Sequence, residues 1–182
     1  MKADAFRKLS WGFMFEMIAF RVMGIDILPD IIGFIYFGGA LAILAAENER
    51  FARAKNRNLI LLLFSVLQIY EPPVQESGVH FYGGPLALTL GIVISILALV
   101  HVYDIFMGIK DMAEKAGDLA VAQEADSKWC QYLALQIAVV FGFILAALPA
   151  LGTVYLIGLF VGTIALAISI AGFMKRCEDR LG

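Results

Sequence analysis

Long apolar blocks are the feature that most constrains how this chain can fold. Six of them follow one another, at 9–25, 27–46, 59–74, 85–109, 130–147 and 151–174. Soluble helices and strands instead carry their apolar residues on one face, with a period of about 3.6 or 2. The 182-residue chain is 61% hydrophobic and 16% charged, which is more apolar surface than a soluble core of this size can bury. Lipid is therefore the expected solvent.

The lengths of these blocks suit membrane crossing. A transmembrane helix needs about 20 apolar residues to span roughly 30 Å of hydrocarbon. The block at 59–74 is the weakest, because Pro72 and Pro73 shorten its apolar part, and a re-entrant segment is the alternative there.

The basic residues distinguish between these alternatives. If all six blocks cross, one side of the membrane collects 13 of the 14 basic residues, and the exception, Arg21, lies within the first block. Those 13 are Lys2, Arg7, Lys8, Arg50, Arg53, Lys55, Arg57, Lys110, Lys115, Lys128, Lys175, Arg176 and Arg180. The positive-inside rule then places both termini in the cytoplasm. Without the third crossing, Lys110, Lys115 and Lys128 would lie outside, so we keep it.

The predicted fold is an all-α integral membrane protein, with residues 1–182 forming a single transmembrane domain of six helices. The helices are expected at 9–25, 27–46, 59–74, 85–116, 119–147 and 151–174. The polar segment 47–58 is expected to be a short inner loop. Gly117 and Asp118 form a helix stop and restart. Helices four and five should therefore extend into the cytoplasm as a helical hairpin.

Charged residues also occur at the expected outer turn between the first two helices. Asp26 or Asp30 can cap the second helix, with Asp26 as the preferred cap, and Pro29 suits a first-turn position. Arg21, at the end of the first helix, can reach either aspartate. We interpret this cluster as an ionic clamp of the turn, with a substrate or ion site at the outer mouth as the alternative.

Glu16 lies near the middle of the first block, where a charged side chain must face protein or water. His101 and Asp104 share one face of the fourth helix, and Gln136 in the fifth lies at a comparable depth. These four residues could form a polar layer. A histidine between two carboxylates could relay protons along a ligand or proton pathway, because it titrates near neutral pH. The alternative is that the four residues only join helices by hydrogen bonds.

Other patterns carry less information about chemistry. Gly158 and Gly162 form a GxxxG pair that permits close helix approach, as Gly142 with Ala146 does more weakly. No HExxH, GxSxG, P-loop or CxxC motif occurs, so no catalytic residue, metal ligand or cofactor is predicted. The net charge of −2 and the scattered basic residues argue against a nucleic-acid partner. Cys130 and Cys177 fall on the predicted cytoplasmic side, where thiols stay reduced.

Three segments, FRVMGIDILPDIIGFIYF, YDIFMGIKDMA and KWCQYL, resemble uncharacterised small multi-pass membrane proteins of spore-forming Gram-positive bacteria. That group carries a G-x-D-x-L-P-D-x-I-G pattern after its first helix, here from Gly24 to Gly33. The resemblance implies a bacterial plasma membrane and assigns no functional residue. The expected size and topology are also similar to substrate-binding subunits of energy-coupling-factor vitamin transporters. The first helix here lacks the alanine-x-x-x-alanine surface with which those subunits dock on their partner.

Three functions remain open at this stage. The first is a small-solute transporter or solute-binding membrane subunit, with the outer cluster of Arg21, Asp26 and Asp30 as a gate and Glu16 with His101 as the inner polar site. The second is a regulatory or accessory protein that binds a membrane-protein partner, or a second copy, through helix faces and the cytoplasmic hairpin. The third is a membrane enzyme acting on lipid, for which the sequence offers no motif. We rank them in that order.

Overall fold

A computed structural model describes residues 1–17, 21–22, 25–26, 30–67, 84–145 and 148–182 of the chain. Helices account for nearly all of these residues. They are α1 (Lys2–Met17), α2 (Asp30–Leu44), α3 (Glu49–Leu67), α4 (Gly84–Lys115), α5 (Leu119–Leu145) and α6 (Pro149–Leu181). Two short strands, β1 (Arg21–Val22) and β2 (Ile25–Asp26), pair antiparallel between α1 and α2. The described part of the protein is therefore all-α apart from this small hairpin.

The six helices form a closed ring. Each packs against the next helix in the sequence, and α6 packs against α1. Five of the described ion pairs between elements show which helix ends meet, because they join the starts of α1, α3 and α5 to the ends of α2, α4 and α6. They are Lys2–Glu47, Arg50–Asp111, Lys110–Asp126, Arg176–Glu124 and Arg180–Asp118. We call this end of the bundle the polar end, and neighbouring helices therefore run antiparallel.

Several element boundaries differ from the sequence predictions. α1 runs from Lys2 to Met17 and Arg21–Val22 is extended, so the helix expected at 9–25 begins and ends earlier. α6 begins at Pro149 and continues to Leu181. It is therefore longer at both ends than the expected helix at 151–174. For the second and fourth helices the structure has Asp30–Leu44 and Gly84–Lys115, close to the expected 27–46 and 85–116.

The inner loop expected at 47–58 was wrong. α3 already begins at Glu49, because the Asn48 side chain accepts a hydrogen bond from the Phe51 amide at 3.1 Å and caps the helix. The polar composition of this segment reflects a half-exposed helix rather than a loop. The helix then continues to Leu67, and the rest of the predicted 59–74 span lies outside the described residues.

The break between α4 and α5 coincides with the Gly117–Asp118 pair. Gly117 has a φ of 77°, a left-handed conformation that glycine adopts without strain. Asp118 then caps α5 by accepting a hydrogen bond from the Val121 amide at 3.1 Å. The same carboxylate pairs with Arg180 of α6. One aspartate therefore begins a helix and ties it to its neighbour.

The buried core lies toward the polar end, and its centre is aromatic. The Phe13 ring of α1 stacks on Phe106 of α4 with centroids 5.3 Å apart, and meets Phe37 of α2 edge-on at 5.0 Å. Phe106 also contacts Phe173 of α6 at 6.2 Å. Rings from four helices thus fill the middle of the bundle.

The other half of the bundle exposes large apolar side chains. They include Leu59, Leu63 and Val66 on α3, Leu90, Val93 and Ile96 on α4, Val140 and Phe141 on α5, and Val154, Ile157, Phe160 and Val161 on α6. A water-facing surface of this kind is rare on soluble monomers. Two described helical segments, Thr89–Lys115 and Ala150–Leu181, are long and apolar enough to cross a membrane, and Ile31–Leu44 is a shorter apolar helix.

Candidate functional site

The structure gives Glu16 an unexpected partner. Its Oε1 accepts a hydrogen bond of 2.8 Å from the Tyr132 hydroxyl, and Tyr132 on α5 is almost fully buried. α1 and α5 are not neighbours in the ring, so this bond crosses the interior of the bundle. Tyr132 was missed in the sequence, because a tyrosine inside an apolar block has the same pattern as an ordinary packing residue.

His101 is 1% exposed, and its imidazole has a defined orientation. Its Nδ1 lies 3.1 Å from the Ala54 carbonyl oxygen of α3. Because a carbonyl can only accept, Nδ1 carries the hydrogen, and Nε2 of the neutral ring presents a lone pair. That buried Nε2 makes no hydrogen bond to the described residues. The ring is held edge-on against Phe37 at 5.4 Å.

Asn58, one turn beyond Ala54 on α3, also has a buried acceptor atom without a hydrogen bond to the described residues. Its Nδ2 donates a hydrogen bond of 2.8 Å to the Phe34 carbonyl of α2, so its Oδ1 is the acceptor. This oxygen is also buried and makes no hydrogen bond within the described part of the chain. Asn58 was not among the predicted site residues, because the sequence interpretation placed it in a loop.

Asp104 lies one turn from His101 on α4 and is only 4% exposed at its side chain. Its Oδ2 pairs with Arg57, and Arg53 Nε approaches the same oxygen at 3.6 Å. The two arginines come from successive turns of α3. Both were assigned to the inner loop in the sequence interpretation, so their role as partners of Asp104 was missed.

The predicted polar layer is therefore divided among different contacts. Glu16 bonds Tyr132, His101 bonds the backbone of Ala54, and Asp104 binds arginines. Gln136, one turn beyond Tyr132 on α5, is half-buried and is not the partner of Glu16, His101 or Asp104 in any of these contacts.

The depths nevertheless agree with a common layer. Glu16 lies three residues beyond Phe13 and His101 lies five residues before Phe106, both toward the apolar half. At 1.5 Å per residue these offsets are about 4.5 and 7.5 Å from the stacked rings. Both groups therefore lie on the apolar side of the stacked Phe13 and Phe106 rings.

The outer-turn cluster is described only by its backbone. Arg21 and Asp26 lie directly opposite each other across the β1–β2 pair, and Asp30 is the first residue of α2. Asp26 lies in β2 and residues 27–29 are outside the described residues, so the prediction that Asp26 caps α2 stays a prediction. The side chains of Arg21, Asp26 and Asp30 lie outside the described residues, so the ionic clamp stays a prediction.

The glycine motifs behave differently from each other. A Cβ at Gly142 would lie 3.3 Å from the Tyr155 ring of α6, so this glycine permits close packing of α5 and α6. Gly158 and Gly162 face open space, with nothing within 4 Å of either position. The GxxxG pair is therefore not used in packing among the described helices.

Within the described ranges, no three His, Cys, Asp or Glu side chains come together as metal ligands. Cys177 is buried and Cys130 is exposed, and both are free thiols.

Comparisons with family models, curated proteins and solved structures give no match to this chain. The described residues define an all-α bundle in which two helices are long and apolar enough to cross a membrane. The resemblance to the spore-former membrane proteins stays a prediction.

Proposed function

We propose that this protein is a small-solute transporter or solute-binding subunit of the bacterial plasma membrane, with all six helices crossing and both termini in the cytoplasm. The observation that carries the proposal is the pair of buried, unmatched acceptors, His101 Nε2 and Asn58 Oδ1. Burying an acceptor without a donor costs about 1–3 kcal/mol. Each of these acceptors suits a ligand that donates a hydrogen bond or a proton.

The surroundings of this pair support the proposal. Both acceptors belong to the contact between α2, α3 and α4, and Glu16 with Tyr132 adds a second polar contact inside the ring. The proposed substrate class is a small polar solute with N–H or O–H donors. The smallest substrate of this kind would be a proton that moves through His101.

The distribution of charged and apolar residues supports the proposed orientation, in which both termini lie in the cytoplasm. Basic residues of α1, α3, α4 and α6 gather at the polar end, and the exposed apolar side chains cover the opposite half. In a plasma membrane, the positive end would face the cytoplasm.

The test is gentle purification from native membranes at endogenous expression, followed by mass spectrometry of the small molecules released on denaturation. His101→Phe keeps an aromatic ring against Phe37 but removes the acceptor. We expect a donor-bearing small molecule to be retained by wild type and lost from His101→Phe. Lys55→Gln, an exposed change on α3, serves as the matched control and should retain it. Identical small-molecule content in all three proteins would contradict the binding of a small polar solute at His101.

The second candidate is a regulatory or accessory protein that acts through protein contacts. It is favoured by the exposed turn between α4 and α5, where Leu119 is 65% exposed. The same purification tests it, because a stoichiometric protein partner should be lost when the hairpin is cut at an inserted protease site beside Gly117. Under this alternative, Glu16→Gln should leave the partner bound.

A further inference from the structure

The Asp104 cluster carries an uncompensated positive charge. Two guanidinium groups, from Arg53 and Arg57, share one carboxylate. Asp104 is nearly buried, Arg57 is 24% exposed at its side chain and Arg53 is 50% exposed. The cluster therefore presents one excess cation, and its most accessible group is Arg53.

Among the described residues, Arg53 forms an ion pair with Asp104 alone, and Glu49, the exposed carboxylate one turn before it, is not ion-paired with it. Arg50, one turn before Arg53, is paired with Asp111 at 2.8 Å and lies over the Tyr103 ring at 5.9 Å. Asp111 is thus already occupied by a different arginine. An anion from outside the chain would complete the cluster.

Apolar side chains continue along the same two helix faces. Ile60 lies seven residues after Arg53, and Val93 lies eleven residues before Asp104, spacings that keep each pair on one side of its helix. Ile60 is 44% exposed and Val93 is 55% exposed. α3 runs from the polar end toward the apolar half and α4 runs in the opposite direction, so Ile60 and Val93 both lie on the apolar side of the arginine cluster. Arg53 therefore lies between the polar end and an exposed apolar surface.

Aromatic residues mark the same level. Tyr103, next to Asp104, meets Trp129 of α5 edge-on at 5.0 Å. Tyrosine and tryptophan concentrate where hydrocarbon meets lipid headgroups. Arg53 therefore lies at the depth expected for headgroup phosphates.

From this arrangement we propose that the α3–α4 face holds one anionic phospholipid, with its phosphate on Arg53 and its acyl chains along Ile60 and Val93. An anionic lipid fits both halves of the surface, because it supplies the missing negative charge and an apolar body. The inference rests on the proposed membrane location. It is independent of whether the protein transports or regulates.

The test uses the full chain reconstituted in nanodiscs of neutral lipid and titrated with phosphatidylglycerol, with phosphatidylcholine as the neutral comparison. We expect preferential retention of phosphatidylglycerol on native mass spectrometry after release. Arg53→Gln should weaken it about fivefold, the effect of one interfacial cation. Lys55→Gln removes the same charge two residues away, on the other side of α3, and should leave binding unchanged.

Three outcomes would overturn the lipid site. Equal weakening by Arg53→Gln and Lys55→Gln would mean general charge attraction. Equally tight binding of soluble glycerophosphate would mean a site for a soluble anion. Normal insertion into the nanodisc without a preference for phosphatidylglycerol would contradict the lipid site but not the proposed membrane location. Failure to insert would contradict the proposed membrane location itself.

Discussion

At the scale of single residues, backbone carbonyls hold His101 and Asn58, and the Tyr132 hydroxyl holds Glu16. Carbonyl oxygens of Ala54 and Phe34 fix the orientations of His101 and Asn58. Sequence reasoning found Glu16, His101 and Asp104, because a titratable residue in an apolar block is conspicuous. It could not find their partners, since a carbonyl leaves no trace in sequence and Tyr132 resembles a packing residue.

The Glu16–Tyr132 bond gives the first prediction. Tyr132→Phe removes only the hydroxyl and should lower the free energy of unfolding by about 0.5–2 kcal/mol, the usual range for a buried side-chain hydrogen bond. Denaturant unfolding in detergent measures it. A double-mutant cycle with Glu16→Gln should show coupling of similar size, and strictly additive effects would mean that the bond contributes nothing.

The contacts of the Asp118 carboxylate lead us to expect that the stability of the fold depends on pH. The Val121 amide and then Arg180 hold the pKa of the Asp118 carboxyl below its usual 3.8, against opposing desolvation. The folded state therefore prefers the ionised form. The resulting stabilisation is present above pH 3.8 and is lost as the pH falls through the lower folded pKa.

Asp118→Asn keeps a capping side chain and removes this titration. We expect the melting temperature of wild type to fall more steeply below about pH 4 than that of Asp118→Asn. Asp179→Asn, an exposed change near the end of α6, should follow wild type. The same acid slope in wild type and Asp118→Asn would show that Asp118 does not contribute.

At the scale of elements, glycines determine how closely the helices approach. A Cβ at Gly12 would lie 2.6 Å from the fully buried Phe37 ring, and one at Gly33 would lie 3.1 Å from the Gly12 carbonyl. The close crossing of α1 and α2 thus depends on glycine, which has no side chain, at positions 12 and 33. The GxxxG spacing in the sequence pointed instead to Gly158 and Gly162. Spacing alone does not show which face of a helix has a neighbour, and these two glycines have none within 4 Å.

A matched pair of substitutions tests this difference. Gly12→Ala should destabilise the fold by about 1–3 kcal/mol, because the Phe37 ring is enclosed and cannot move freely. Gly158→Ala adds the same methyl group in open space and should leave stability unchanged or slightly raised. Unfolding in detergent compares them, and equal effects would contradict the α1–α2 packing described here.

Element boundaries were predictable where local chemistry set them. The Gly117–Asp118 stop and restart is of this kind. The start of α3 was not predicted, because the apolar blocks mark only the apolar part of a helix. Ten polar or mixed residues from Glu49 to Asn58 extend α3, and their helical state depends on packing against α2 and α4.

At the scale of the whole molecule, the ring of six helices has two unlike halves. One end is joined by ion pairs around an aromatic core, and the other exposes apolar side chains of α3 to α6. In water, such a surface would promote association. In a bilayer, the same surface would face lipid, which is why the proposed solute site and lipid site both depend on membrane insertion.

The most direct test of this account is the sidedness of the helix connections, measured with single cysteines and a membrane-impermeant maleimide in a background without native cysteines. Asp26→Cys and Leu148→Cys should react in intact cells. Asn48→Cys and Lys115→Cys should react only after the membrane is opened. If Lys115→Cys and Leu148→Cys reacted from the same side, α5 would not cross, and the six-helix membrane bundle would be contradicted.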